Sequence, residues 1–327
     1  VPPMERGQTP RSLSPKTSAR LSNITRMEIG IYGLGRMGAN MARRLIKNKH
    51  RVIVYNRTAE KTKELAKEGA IGSYSLDEFL RKLKSPKLVW LMLPSGEVTA
   101  QAIDTLKTKL KKGDILIDGG NSRYKDSIKH GELLAKYGIH FMDAGTSGGI
   151  WGLKVGYCLM IGGEKVVFQK LEPIFKSLAP KNGYLHCGPH GAGHFVKMIH
   201  NGIEYGMMQS IGEGFQLLHD SQFELNLQKI ASLWNQGSVV RSWLMELAER
   251  AFQAEGNDLK ALDSHIDDSG EGRWTILESI ERGVPTPVLA TSLYVRFLSQ
   301  QKDFFSGKVI SALRREFGGH SVKTKNG

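Results

Sequence analysis

The feature that most constrains this chain is the run Gly33-Leu34-Gly35-Arg36-Met37-Gly38. It follows the apolar segment Glu28–Tyr32 and opens a helical pattern that ends near Lys49. A G-x-G-x-x-G alone is a weak signal. Here it sits at a strand–turn–helix junction, with a second strand expected at Arg51–Tyr55, and that context makes it a dinucleotide-binding signature. Gly33 permits the tight turn, Gly35 lets backbone approach a pyrophosphate, and Gly38 allows the helix to pack closely on the strand. The helix N-terminus favours the anion. Leu34, Arg36 and Met37 complete the expected cofactor contact; a glycine-rich turn holding no ligand is the plain alternative.

The end of the second strand bears on which dinucleotide binds. An NAD site usually carries Asp or Glu there, on the ribose hydroxyls. This chain has Asn56-Arg57-Thr58. No carboxylate repels a 2′-phosphate, and Arg57 can pair with one, so NADP is expected. A charge-assisted hydrogen bond of about 1.5–3 kcal/mol gives roughly tenfold preference or more.

Further strands are expected at Lys87–Leu93, Asp114–Asp118, Ile139–Asp143 and Tyr157–Ile161, with helices between them, one starting at Thr58. Such alternation implies a parallel sheet covered by helices. After about Gly191 the strand signals stop and long helical patterns follow. The chain of 327 residues therefore reads as an α/β fold in two domains. A Rossmann-type doubly wound sheet spans 27–190, and an all-α C-terminal domain for substrate binding and oligomerisation spans 191–327. Residues 1–26 are rich in Pro, Ser and Arg and read as a disordered extension. Met27, which opens the first strand, reads as the natural start, with a transit peptide as the alternative reading of the extension.

The formal net charge of +14 raises the question of an anionic partner. Lys and Arg are spread along predicted helices, often beside Glu, without the stripe a nucleic-acid binder concentrates. No nucleic-acid partner is expected. Cys158 and Cys187 show no metal-ligand pairing and suggest no disulfide framework, so a reducing, cytoplasmic setting is expected, with no metal. No apolar run is long enough to span a membrane, and no membrane partner is expected.

The candidate chemistry lies in Gly191–Gln209. On a helix, Lys197, His200, Asn201, Glu204 and Tyr205 fall within an arc of about 140°. Met198, Ile199 and Ile203 are expected on the other side. A solvated polar stripe would more often repeat Lys and Glu than carry one each of five types. A lysine near an alcohol can take its proton while hydride leaves the carbon, provided it is neutral, and burial near a cationic cofactor favours that. Glu204 is a candidate proton donor. A second loop, Asp143–Gly149, places Ser147, Gly148 and Gly149 after a strand, a nest suited to a carboxylate or simply a turn.

Taken together these residues resemble the 6-phosphogluconate dehydrogenase family, from Met27 to the C-terminus. The resemblance rests on Gly33–Leu45, the DGGNS run Asp118–Ser122, Thr146–Gly149, Gly191–Gly206 and the GRWT run Gly272–Thr275. It implies Lys197 and Glu204 as the catalytic base and acid. It implies Asn121 at the cofactor and the substrate, with Ser147, Gly148, Gly149, His200, Asn201 and Tyr205 on the substrate. It further implies that Arg273, Arg296 and Arg314, with His320 beside them, hold a sugar phosphate, as arginine suits. The implied reaction is NADP-linked oxidation and decarboxylation of 6-phosphogluconate to ribulose 5-phosphate in the pentose phosphate pathway, by a homo-oligomer, dimer or tetramer. Longer members carry a duplicated helical domain and commonly have Lys where this chain has Arg273. Their C-terminal Arg…His pair reaches a neighbouring subunit, which leaves open where Arg314 and His320 act here. Two rival readings stand beside it. One is a 3-hydroxyisobutyrate dehydrogenase-like reductase, which would not need the arginines. The other is a non-catalytic NADP-binding sensor on the same fold.

Overall fold

The computed structural model describes residues 24–318, 321 and 323. Almost all of the expected N-terminal extension, and His320, lie outside the described residues.

The chain begins β1 (Glu28–Tyr32), α1 (Arg36–Lys47), β2 (Arg51–Tyr55), α2 (Ala59–Lys67), β3 (Ile71–Ser73), α3 (Leu76–Lys82), β4 (Leu88–Leu91), α4 (Glu97–Leu106), β5 (Ile115–Asp118) and α5 (Tyr124–Ala135). It continues through β6 (His140–Ser147), a 3-10 turn at Gly149–Trp151, α6 (Gly152–Val155), β7 (Cys158–Gly163), α7 (Lys165–Leu178) and β8 (Tyr184–Gly188). The strands form one eight-stranded sheet in the order β3-β2-β1-β4-β5-β6-β7-β8. β4 and β5, LVWL and ILID, are buried throughout. Covered on both faces, they read as continuous apolar runs, as strands inside an α/β sheet do.

The sheet is not wholly parallel as expected: β6 and β7 pair antiparallel, Ser147 opposite Cys158 and Met142 opposite Gly163. The stretch joining them, residues 148–157, holds only the 3-10 turn and one short helix. A parallel crossover needs a dozen residues or more, so the chain turns back instead. Two strands were not expected. β3 has three residues, and β8 is an edge strand with no fully buried position, so neither leaves an apolar run to read.

The helices that follow are α8 (Ala192–His219), α9 (Leu227–Trp234), α10 (Trp243–Glu255), α11 (Glu271–Arg282), α12 (Pro287–Ser299) and α13 (Phe305–Gly318). α8, 28 residues long, packs on β6 and β7 at its start and on α11 and α12 further along. α11 fits close because α8 has glycine at 202. A Cβ there would stand 2.7 Å from Thr275 Cγ2, while the Thr275 hydroxyl donates to the Met198 carbonyl at 2.9 Å.

Candidate active site

The glycine-rich turn has the build its spacing implies. Gly33 has φ +104°, and a Cβ on it would meet the Met92 carbonyl at 2.4 Å. A Cβ on Gly38 would meet the Gly33 carbonyl at 2.2 Å. In front of Gly35, by contrast, nothing lies within 4 Å of a built Cβ. Gly35 caps α1 without any side-chain hydrogen bond, so no cap side chain occupies the helix N-terminus, which suits an anion. The Asn56 amide oxygen accepts from the Leu34 backbone amide at 2.9 Å, and its nitrogen donates to the Thr58 carbonyl at 3.1 Å. Asn56 thus ties the end of β2 to the turn. Arg36, Arg57 and Thr58 stand exposed around it.

Met37 also lines a cleft of about 920 Å³, which places the turn beside the candidate chemistry. Asn121, Ser147, Gly148, Gly149, Lys197, His200, Asn201 and Glu204 share that lining. Asn121 has φ +53°, a left-handed conformation that asparagine tolerates better than most residues. Its side chain brackets one residue of β6, accepting from the Thr146 amide at 2.8 Å and donating to the Thr146 carbonyl at 3.1 Å.

Lys197 is 5% exposed. Its amine donates to Asn201 Oδ1 at 2.6 Å, and His200 Nδ1 lies 2.9 Å from the same oxygen. That oxygen only accepts, so this contact calls for a proton on His200 Nδ1, while His200 Nε2 lies 3.4 Å from Ser147 Oγ. Glu204 Oε2 stands 3.8 Å from His200 Nδ1. Burial pushes the Lys197 ammonium below the ordinary lysine value, against an upward pull from Glu204, Glu271 and Cys158. The site therefore holds a lysine biased toward the neutral amine, flanked by a carboxylate, an imidazole and a serine loop.

The cleft face of α8 is displaced from the expected one. Ile199, Ile203 and Met207 line the cleft, whereas Tyr205 does not. At about 100° per residue the exposed stripe centres on His200 and Met207, with Lys197 and Asn201 on one flank and Tyr205 just past it. Tyr205 is buried instead against α11, its hydroxyl within 3.2 Å of Asp268 Oδ1 and 3.1 Å of Ser269 Oγ.

The arginines divide. Arg296 lies 3.4 Å over the Tyr205 ring and donates to the Asp267 carbonyl at 2.9 Å. Arg273 ion-pairs with Asp268 and stacks on Phe297 at 4.5 Å. These two meet around Tyr205, behind the cleft. Arg314 is exposed on α13 and is not brought to them. The sequence reading also missed a wall. Trp243, Leu244 and Leu247 of α10 line the cleft, and Arg250 lies over the Trp151 ring at 4.7 Å. Their i, i+1, i+4 spacing marks an apolar helix face, but nothing in it distinguishes a cleft wall from core.

With this geometry in view, the known proteins it matches are informative. Residues 28–188 match the NAD binding domain of 6-phosphogluconate dehydrogenase, and residues 193–325 match the C-terminal domain of 6-phosphogluconate dehydrogenase. The YqeC protein of Bacillus subtilis (strain 168) is 46% identical over 299 residues, covering 91% of this chain and 100% of that protein. A Haloferax volcanii protein named 6-phosphogluconate dehydrogenase, NAD(+)-dependent, decarboxylating, is 39% identical over 301 residues, covering 92% of this chain and 100% of its own length. The chain belongs to the 6-phosphogluconate dehydrogenase family. Among solved structures, Plasmodium falciparum 6-phosphogluconate dehydrogenase, determined apo, with NADP+ and with 6-phosphogluconate, superposes with a TM-score of 0.78 at 29% identity, over 92% of this chain and 67% of that one. The family thus includes longer chains than this one, and its members differ in the cofactor they are named for.

Proposed function

We propose that this protein oxidises and decarboxylates 6-phosphogluconate to ribulose 5-phosphate and carbon dioxide, with NADP as the preferred cofactor. The observation that carries the reading is Lys197. It is a buried amine biased toward neutrality, held by Asn201, in a cleft shared with the glycine-rich turn and the Ser147–Gly149 loop. The bound nicotinamide dinucleotide supplies the hydride acceptor. It would be held by the turn Gly33–Gly38, with Asn56, Arg57 and Thr58 at the adenosine end and Asn121 nearer the reacting carbon. Neutral Lys197 accepts the proton of the C3 hydroxyl as the C–H bond gives up its hydride. In the resulting 3-keto acid the Lys197 ammonium steadies the enolate oxygen as carbon dioxide leaves, and Glu204 assists protonation at C1. Ser147, Gly148, Gly149, His200 and Asn201 bind the carboxylate and hydroxyls. Arg273 and Arg296, around Tyr205, reach the phosphate once released from Asp268 and Asp267. Arg314 serves a neighbouring subunit in a homo-oligomer.

A spectrophotometric assay tests this directly. 6-Phosphogluconate should reduce NADP and release one equivalent of carbon dioxide, while 3-hydroxyisobutyrate should not. The reverse pattern would select the rival reductase, and no turnover of either would select the sensor. The preference for NADP is supported by Arg57, Arg36 and the absence of a carboxylate at the end of β2. An Asn56→Asp, Arg57→Ala double variant keeps an acceptor for the Leu34 amide and should reduce the NADP/NAD ratio of kcat/KM at least tenfold. A wild type that prefers NAD overturns the assignment. A cytoplasmic setting suits a substrate and a cofactor that are both highly charged.

A further inference from the structure

One carboxylate beside the site does not line the cleft and makes no ion pair among the described residues. Asp143, on β6, is 0% exposed. Both its oxygens are committed to the start of α8: Oδ1 accepts from the Gly191 amide at 2.7 Å and Oδ2 from the His194 amide at 2.8 Å. Amides at a helix start have no partners within the helix, and their partial positive charge favours an anion. The cap residue Gly191 supplies no side chain of its own. Asp143 therefore caps α8 from the neighbouring strand β6.

The seat it holds is bare. A Cβ on Gly193 would stand 2.5 Å from the Met160 carbonyl oxygen and 2.6 Å from both the Asp143 carbonyl oxygen and the Gly162 nitrogen. A Cβ on Gly145 would stand 2.4 Å from Lys197 Cβ. At Gly193 and Gly145 the backbones of α8 and β6 meet with no room for a side chain between them. Lys197 follows His194 by less than one turn. Further along the same strand, Ser147 enters the cleft. A small displacement of the helix start would move the amine relative to the serine loop.

We propose that Asp143 is a positioning residue for Lys197. Its carboxylate locks the first turn of α8 onto β6 and so fixes the amine against the Ser147–Gly149 loop carried by that strand. The proposal rests on the reading of Lys197 as the base. A misplacement of about 1 Å in a reacting group can cost on the order of 10²-fold in rate.

Two variants separate positioning from general support of the fold. Asp143→Asn keeps the shape but turns an NH2 toward a backbone N–H. Asp143→Ser keeps one acceptor without that repulsion. With 6-phosphogluconate, kcat should fall on the order of 10²-fold in Asp143→Asn and by less in Asp143→Ser. In both, the NADP dissociation constant and the number of sites titrated per chain should stay within twofold of wild type, because the glycine-rich turn lies on β1 and α1. In a Lys197→Met background, Asp143→Ser should add no further loss, since there is no amine left to misplace. Three results would overturn the proposal. One is kcat within threefold of wild type in every variant that folds. Another is a loss of NADP sites in proportion to the loss of rate, which includes the case where neither variant folds. The third is an undiminished effect of Asp143→Ser in the Lys197→Met background. A wild type that does not oxidise 6-phosphogluconate would instead remove the functional reading itself.

Discussion

As the proposed base, Lys197 should set the pH behaviour of the site. Because burial lowers its pKa, the amine becomes neutral at a lower pH than a free lysine does. A base must be unprotonated, so kcat/KM should rise with pH along an acidic limb lying below the ordinary lysine range. Glu271 pulls that pKa upward, so Glu271→Gln should move the limb to still lower pH; a shift to higher pH would contradict the assignment. Lys197→Met keeps the length and removes the amine, and kcat should fall by about 10²–10⁴-fold, with NADP affinity little changed in a fluorescence titration. Glu204→Gln should slow turnover but spare hydride transfer, giving a burst of reduced cofactor in stopped flow that Lys197→Met lacks. At this scale the sequence was legible where chemistry demands unusual residues: Lys197, His200, Asn201 and Glu204 do share one cleft. Asp143 could not be read, because its partners are backbone amides 48 and 51 residues away. Tyr205 was misplaced because it sits just past the edge of the cleft stripe, where packing against Asp268 and Ser269 decides its direction.

Elements were legible where burial leaves a period or a run. β1, β2, β4 and β5 are apolar runs between turn signals, and each lies within a residue or two of its expected bounds. The β6–β7 reversal was not, since strand alternation is the same in either pairing and only the short connection decides it. α8 carries the proposed catalytic residues on one face and its bracing on another. The brace is testable at Gly202. A valine there would press on Thr275, and overpacking of this kind costs about 1–3 kcal/mol. The melting temperature should fall, and because α11 carries Arg273, KM for 6-phosphogluconate should rise more than kcat falls. An unchanged melting temperature would show that α11 yields freely.

Across the whole molecule, the cleft forms where the sheet side meets α8 and α10, so its position follows from the order of elements: strands first, then helices. Among the described residues no helix is long and apolar enough to cross a membrane. Yet α13 exposes Phe305, Ile310 and Leu313, an apolar face that the proposed homo-oligomer would cover. Ile310→Glu with Leu313→Glu should shift sedimentation toward a monomer and raise KM for 6-phosphogluconate, because Arg314 would leave its neighbour's site. Unchanged mass and kinetics would place the contact elsewhere. One small bracket reaches furthest. Asn121 both donates to and accepts from the backbone of Thr146, so it ties the proposed cofactor-side loop to the proposed substrate loop. On the proposed roles, the ligand that arrives first should still the seat of the other. The two affinities should therefore be reciprocally coupled, each ligand tightening its companion by the same factor, and Asn121→Ala should turn two linked equilibria into two independent ones.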